Sequence, residues 1–158
     1  ITVQPMDLFA APENSILMHA CNCQGDWGGG IALAFKKIYP NAYQFQRDYC
    51  LRFVSAKTSQ QLVGTALLIP PMDSGNKHFI GCLFTSHRYG RAKDSPEKIL
   101  ESTKPAVEAM FTVINKWNER HEPEEQCQYM YMCKINSGLF NVPWESTQEI
   151  IEELDMEL

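Results

Sequence analysis

Short apolar runs of strand length alternate along the chain with longer stretches of helical period, the pattern of an α/β domain. Residues 1–3 read as the end of a first strand, and Ile16, Leu17, Met18, His19 and Ala20 as a buried strand ending near His19. Residues 21–30 have no periodicity and finish in three consecutive glycines. Residues 31–37 are then rich in helix formers, carry Lys36 and Lys37 in their last turn and are followed by Pro40, so they are predicted to be helical. A second helix is predicted over 42–53. Strands are predicted over 62–69 and 78–85, joined as a hairpin around Asp73, Ser74, Gly75 and Asn76. Ser95 is an N-cap with Pro96 at the first helical position, and Ile99, Thr103, Val107, Met110, Ile114 and Trp117 mark one face of a long helix that Pro105 is expected to kink. A strand over 129–135, a loop over 136–143 and a helix over 144–154 complete the chain, with a last strand expected beyond Leu158.

The composition fits one domain over 1–158: 158 residues, 44 % hydrophobic and 21 % charged. The chain starts at Ile1 and stops inside an acidic run, so the native protein is expected to extend past both ends. A formal charge of −5 argues against general affinity for nucleic acid or anionic membranes, so a phosphate-bearing ligand must be held locally. No apolar run approaches the roughly 20 residues of a membrane span and no signal peptide is read at the start, so a cytosolic or nuclear protein is expected. Its six cysteines are scattered, only Cys21 and Cys23 lying close together, and read as buried thiols.

The most informative segment runs from His19 through Asn22, Asp26 and Trp27 to Gly28, Gly29 and Gly30, where a strand end delivers the chain into glycines directly before a helix. Glycines let backbone N–H groups converge, and the free N–H groups and dipole of a helix start favour an anion. The segment matches neither G-x-x-x-x-G-K-[ST] nor G-x-G-x-x-G, which disfavours a P-loop and a Rossmann fingerprint. The loop from Asn136 to Trp144 also joins a strand to a helix, and two such loops can flank one cleft at the ends of the strands.

These residues resemble the macrodomain family, and more closely its fungal branch of ADP-ribose-1''-phosphate phosphatases. The resemblance covers nearly the whole chain. It is carried by Asp7-Leu8, by His-x-Cys-Asn-Cys-x-Gly-x-Trp-Gly-Gly-Gly-Ile-Ala from His19 to Ala32, by Cys82-Leu83-Phe84-Thr85-Ser86, and by Ile135-Asn136-Ser137-Gly138-Leu139-Phe140 leading to Val142-Pro143-Trp144. It implies a macrodomain-like three-layer α/β/α sandwich with a mixed, largely parallel central sheet, binding ADP-ribose at the strand ends. It implies an adenine contact from Asp7 beside Leu8, a distal-ribose contact from Asn22, and a diphosphate wrapped by Trp27, Gly28, Gly29, Gly30 and Ile31. Ser137, Gly138 and Leu139 would close over the diphosphate, with Phe140 against the distal ribose. The implied reaction is hydrolysis of the terminal phosphate of ADP-ribose-1''-phosphate, a by-product of tRNA splicing, by a monomer needing no cofactor and no metal.

The chain also resembles the branch that removes ADP-ribose from glutamate, in Gly30-Ile31-Ala32-x-x-Phe35-Lys36-Lys37, but Ser86 and Phe140 stand where that branch carries its catalytic lysine and aspartate. His19 is the expected proton carrier, since an imidazole titrates near neutral pH, with Asn22 and the loop amides stabilising charge and Asp26 as second choice. A reader of free or protein-linked ADP-ribose has no use for His19, so His19 separates the enzyme from a pure binding module; hydrolysis of another adduct, such as O-acetyl-ADP-ribose, is a third reading. Three signals are discounted. Cys82-x5-Arg88 fits a cysteine-phosphatase spacing but has no glycine cradle and no reason for a depressed thiol pKa. His19, Cys21 and Cys23 supply three ligands at most and no second cluster. His87, Arg88, Arg91 and Lys93 read as a small basic loop, either near the cleft mouth where it attracts a phosphate or, the favoured reading, a solvated connection.

Overall fold

The structure is a computed structural model describing residues 2–75 and 77–154. Four strands, β1 (Ser15–Asn22), β2 (Ala66–Ile69), β3 (Phe79–Ser86) and β4 (Tyr129–Met132), form one sheet in the order β2-β3-β1-β4. β1 runs parallel to both β3 and β4, and β2 is antiparallel to β3, closing the expected hairpin; Asn76, in its turn, lies outside the described residues.

The two-residue alternation of the strands divides the core. Leu17 and Cys21 of β1 and Ile80, Cys82 and Phe84 of β3 bury against Phe35, Tyr39, Ala42 and Cys50 of α1 (Gly30–Ile38) and α2 (Pro40–Ser55). Ile16, Met18, Phe79 and Leu83 face the other way, onto Ala106, Val107, Met110 and Ile114 of α3 (Pro96–Arg120) and Trp144 of α4 (Trp144–Glu152). The result is the expected three-layer sandwich around a mixed sheet. Each fully buried Leu, Ile, Phe or Met side chain in these two clusters contributes about 1.5–3 kcal/mol.

Three expectations need correction. Thr2 and Val3 form no strand, while Ile1, residues 155–158 and the strand expected beyond Leu158 lie outside the described residues. The strand expected over 62–69 starts only at Ala66, because Leu62 closes a 3-10 turn over Ser59–Leu62 and Gly64 takes a φ of +81° that redirects the chain into β2. The long helix is present as expected: α3 runs from its Ser95 cap, whose Oγ accepts from Lys98 N, through Pro105 to Arg120. Its burial of Ile99 and Thr103 before the proline and Ala106, Val107 and Met110 after it keeps both halves on the sheet. Finally, β4 stops at Met132 and not at 135. Its last partner on β1 is Met18, so residues 19–22 of β1 have no β4 neighbour on that side. The gap this leaves is where the site forms.

Candidate functional site

A cleft of about 630 Å³ opens at the carboxyl end of β1. Ala20, Cys21 and Asn22 form its floor. The glycine loop forms one wall, residues 133–140 the opposite wall, and Tyr89, Gly90 and Lys93 stand beside them. This is the crevice that an open parallel sheet creates where neighbouring strands diverge.

Asn22 builds the first wall from inside. Its Oδ1 accepts from Gln24 N at 2.9 Å and Asp26 N at 3.4 Å, and its Nδ2 donates to Asp26 O at 2.9 Å. Asn22, 6 % exposed, thus shapes the loop while also lining the cleft. Arg47 of α2 adds a bond from Nη1 to Gly25 O at 3.2 Å. Gly29 is the N-cap of α1 and offers no capping side chain, so the first N–H groups of the helix are left to whatever occupies the cleft. Gly30, with φ at +59°, takes the turn into α1 in a conformation that costs any residue with a Cβ.

The second wall is held by a buried polar cluster centred on Asn136, which is 4 % exposed and has φ at +67°. Its Oδ1 accepts from Thr85 Oγ1 at 2.8 Å. Its Nδ2 donates to Thr103 Oγ1 at 3.0 Å and Thr147 Oγ1 at 3.2 Å, tying the loop to β3, α3 and α4 at once. Val142 N donates to Asn136 O at 2.8 Å, and Asn141 N to Gly138 O at 3.0 Å. Ser137, Gly138 and Leu139 are thereby displayed to solvent on a fixed base. Leu139, 70 % exposed, leans across the cleft so that its Cδ1 lies 2.7 Å from where a Cβ on Gly29 would be. The two loops thus meet over the cleft, with Phe140 half-buried behind.

Asp7 and Leu8 line a neighbouring cavity of about 1000 Å³, which shares Ile31, Cys133 and Lys134 with the cleft. Asp7 Oδ1 caps the turn at Leu8–Ala10 by accepting from Phe9 N at 3.0 Å. The residues singled out in the sequence therefore gather along one continuous depression, with Asp7 at one end and Phe140 at the other.

His19 is the exception. It points beneath the cleft, fully buried, its ring stacked on Phe35 at 4.3 Å and edge-on to Trp27 at 4.6 Å. Alternation along β1 turns residue 19 into the α1–α2 layer, so His19 is buried away from the cleft lining where the expected proton carrier would stand. Trp27 itself is 1 % exposed, reaches the cleft wall and keeps Nε1 buried without a hydrogen bond.

The register that pairs His19 with Cys82 also gathers His19, Cys21 and Cys82 with their donor atoms all within 4.8 Å. Cys23 leaves this group, donating its thiol to Ser86 O at 3.5 Å. Burial raises a thiol, yet hydrogen bonds from Cys21 and His19 and the charge of the imidazole outweigh it at Cys82 and hold that thiol well below its ordinary value. Cys21, burdened by burial and by its hydrogen bond with Cys82, is pushed well up. The expectation of an unperturbed Cys82 failed because its neighbours come from another strand. The residue is nonetheless fully buried inside β3, away from the cleft lining.

The basic loop is partly drawn into the site. His87 is tied down by Ser59 Oγ at 2.9 Å, and its carbonyl accepts from Cys23 N and Gln24 Nε2, while Lys93 joins the cleft lining and Arg88 and Arg91 stay at the surface. Tyr89 and Lys134 are unmarked in the sequence, since nothing in their spacing singles them out, whereas Lys93 belongs to the basic loop expected near the cleft mouth or in solvent.

The Macro domain family model matches residues 18–151. A Chaetomium globosum protein named ADP-ribose 1''-phosphate phosphatase is 46 % identical over 162 residues, covering 99 % of this chain and 84 % of its own. An Aspergillus fumigatus protein of the same name is 38 % identical over 177 residues, covering 96 % and 88 %. Among solved structures, the macrodomain of Mycobacterium tuberculosis DarG superposes with a TM-score of 0.73 at 19 % identity, covering 96 % of this chain and 86 % of that one. The chain belongs to the Macro domain family.

Proposed function

We propose that this protein binds ADP-ribose derivatives along the depression from Asp7 to Phe140 and hydrolyses the terminal phosphate of ADP-ribose-1''-phosphate. The observation that carries the reading is the pairing of two strand-to-helix loops over one cleft, where free helix N–H groups and Lys93 supply the positive field that a chain of net charge −5 otherwise lacks. The names of the Chaetomium and Aspergillus relatives support it. In this reading the adenosine end lies in the Asp7 cavity, the diphosphate under Leu139, and the terminal phosphate beside Lys93.

With His19 outside the cleft, the proton work falls to Asp26, the carboxylate that lines the cleft and lies against Gly28. Water attacks phosphorus, the bond from phosphorus to the sugar oxygen breaks, and Asp26 passes the water proton to the departing oxygen. Asn22 acts as a positioning residue by fixing the backbone of Asp26.

A second reading, a module that binds ADP-ribose without turnover, is favoured by the burial of His19. Phosphate release from ADP-ribose-1''-phosphate, measured beside calorimetry with ADP-ribose, separates the two. Turnover that falls about 10²-fold or more in Asp26→Asn with binding retained supports the phosphatase. Binding without wild-type turnover supports the reader, and absence of both overturns the assignment.

A further inference from the structure

We propose that His19, Cys21 and Cys82 form a binding site for one soft cation, of the Zn²⁺ or Cu⁺ class, in the layer directly beneath the cleft. His19 and Cys21 are two residues apart on β1 and share a face, and Cys82 sits opposite His19 on β3, so the parallel register itself assembles the three donors. The Cys21 sulfur lies 3.6 Å from His19 Nδ1 and 3.7 Å from Nε2, and all three donors fall within 4.8 Å of one another. Donors on a tetrahedral ion with bonds of about 2.0–2.3 Å stand roughly 3.3–3.8 Å apart, so small rotations suffice to close the site.

The donor set is also short of other work. The hydrogen-bond partners of the His19 side chain are thiols, although buried imidazoles ordinarily secure oxygen partners. Beside its contacts with the other two donors, the Cys21 thiol has a long hydrogen bond to His19 O at 3.8 Å. A disulfide is the competing use of two close cysteines. Cys21 pairs with Phe84 and Cys82 with His19, however, which offsets the cysteines diagonally. Diagonal neighbours lie about 7–8 Å apart across a sheet, beyond the roughly 4.4–6.8 Å a disulfide spans.

Cys21 forms part of the cleft lining, whereas His19 and Cys82 are fully buried, so Cys21 is the member of the set nearest to solvent. One imidazole nitrogen and two sulfurs, with a fourth place left to water or another oxygen donor, is a set that suits a d¹⁰ cation and discriminates against Mg²⁺ and Ca²⁺. Binding forms two metal–sulfur bonds and one metal–nitrogen bond, and the thiol protons pass to solvent.

The test is titration of the reduced, metal-free chain with Cd²⁺, followed by thiolate-to-cadmium charge-transfer absorbance and competed with Zn²⁺. One equivalent bound, with affinity reduced at least about 100-fold in Cys82→Ala and unchanged in Cys127→Ala, is the expected result. Absence of charge-transfer absorbance in the wild type, or undiminished binding by Cys82→Ala, overturns the proposal. Should Cys82→Ala fail to fold, alkylation of the wild-type thiols located by mass spectrometry replaces it. Zn²⁺ is then expected to slow labelling of Cys21 and Cys82 relative to Cys133, and equal labelling with and without Zn²⁺ refutes the site.

Discussion

Replacing Asn136 by alanine tests whether the second loop is held by its buried cluster or merely by the chain on either side. The substitution deletes three hydrogen bonds of 2.8–3.2 Å, to Thr85, Thr103 and Thr147, in surroundings where Asn136 is 4 % exposed. At about 1 kcal/mol each these amount to about 3 kcal/mol. Thr103 retains a bond from its Oγ1 to Ile99 O at 2.7 Å, whereas Thr85 and Thr147 lose their Asn136 partner in fully buried positions. Alanine must also adopt φ at +67°, at about 1–2 kcal/mol, a conformation that asparagine tolerates and glycine adopts freely. Asn136→Ala is therefore expected to lose about 4–5 kcal/mol. Asn136→Gly, which deletes even more side chain, is expected to lose about 1 kcal/mol less. Urea unfolding at constant m-value measures both. A loss below about 1 kcal/mol for alanine would refute the cluster as the anchor of the loop, and a glycine variant no more stable than alanine would refute the backbone argument.

Three further outcomes follow from the same geometry. Gly25→Ala places a Cβ 3.2 Å from the backbone of Arg47 at φ +75° and is expected to lose about 2–4 kcal/mol. Gly28→Ala meets only the movable Asp26 carboxylate at 3.1 Å and is expected to lose under about 1 kcal/mol, so equal losses in urea unfolding would contradict the reading. Burial pushes Cys50 up to about 12 and Cys127 up to about 11. The folded protein therefore holds protons that the unfolded chain releases above about pH 9, and stability that is complete below that pH declines as pH rises toward the folded values. For Cys50 the decline is about 1.4 kcal/mol by pH 10, and unfolding under reducing conditions that shows no loss between pH 8 and pH 10 would exclude it. Lys93→Ala is expected to weaken ADP-ribose-1''-phosphate about 10-fold or more while sparing ADP-ribose, measured by competition, and an equal effect on both would remove Lys93 from the terminal phosphate.

Local signals placed the elements well where one physical rule dominated. Ser95-Pro96 starts α3, the glycines precede α1, and the runs at 16–20 and 78–85 became the two central strands. The errors lie where partners decide. Residues 133–135 have the composition of a strand, but Asn136 draws them out of the sheet through a cluster whose other members are 11 to 51 residues away in sequence. In the site, the glycine loop was legible because its function is in its backbone. The lining by Tyr89 was not, since a short turn after β3 brings it to the cleft together with Lys93 of the basic loop.

His19 shows why a motif can be read correctly and its chemistry misplaced. Its neighbours in sequence, Ala20, Cys21 and Asn22, all touch the cleft, so proximity along the chain made His19 a natural participant. Parity along the strand decides otherwise, since residues 17, 19 and 21 share the face that α1 covers, and only where β4 has ended can the floor open. Cys21 belongs to both worlds, lining the cleft above and touching the imidazole below. His19 meets the cleft through Cys21, through the Phe35 ring of α1 on which it stacks and through the Trp27 ring edge-on to it, the contacts of a support of the cleft wall. A substitution at His19 should accordingly disturb ligand affinity and turnover together, whereas one at Asp26 should separate them.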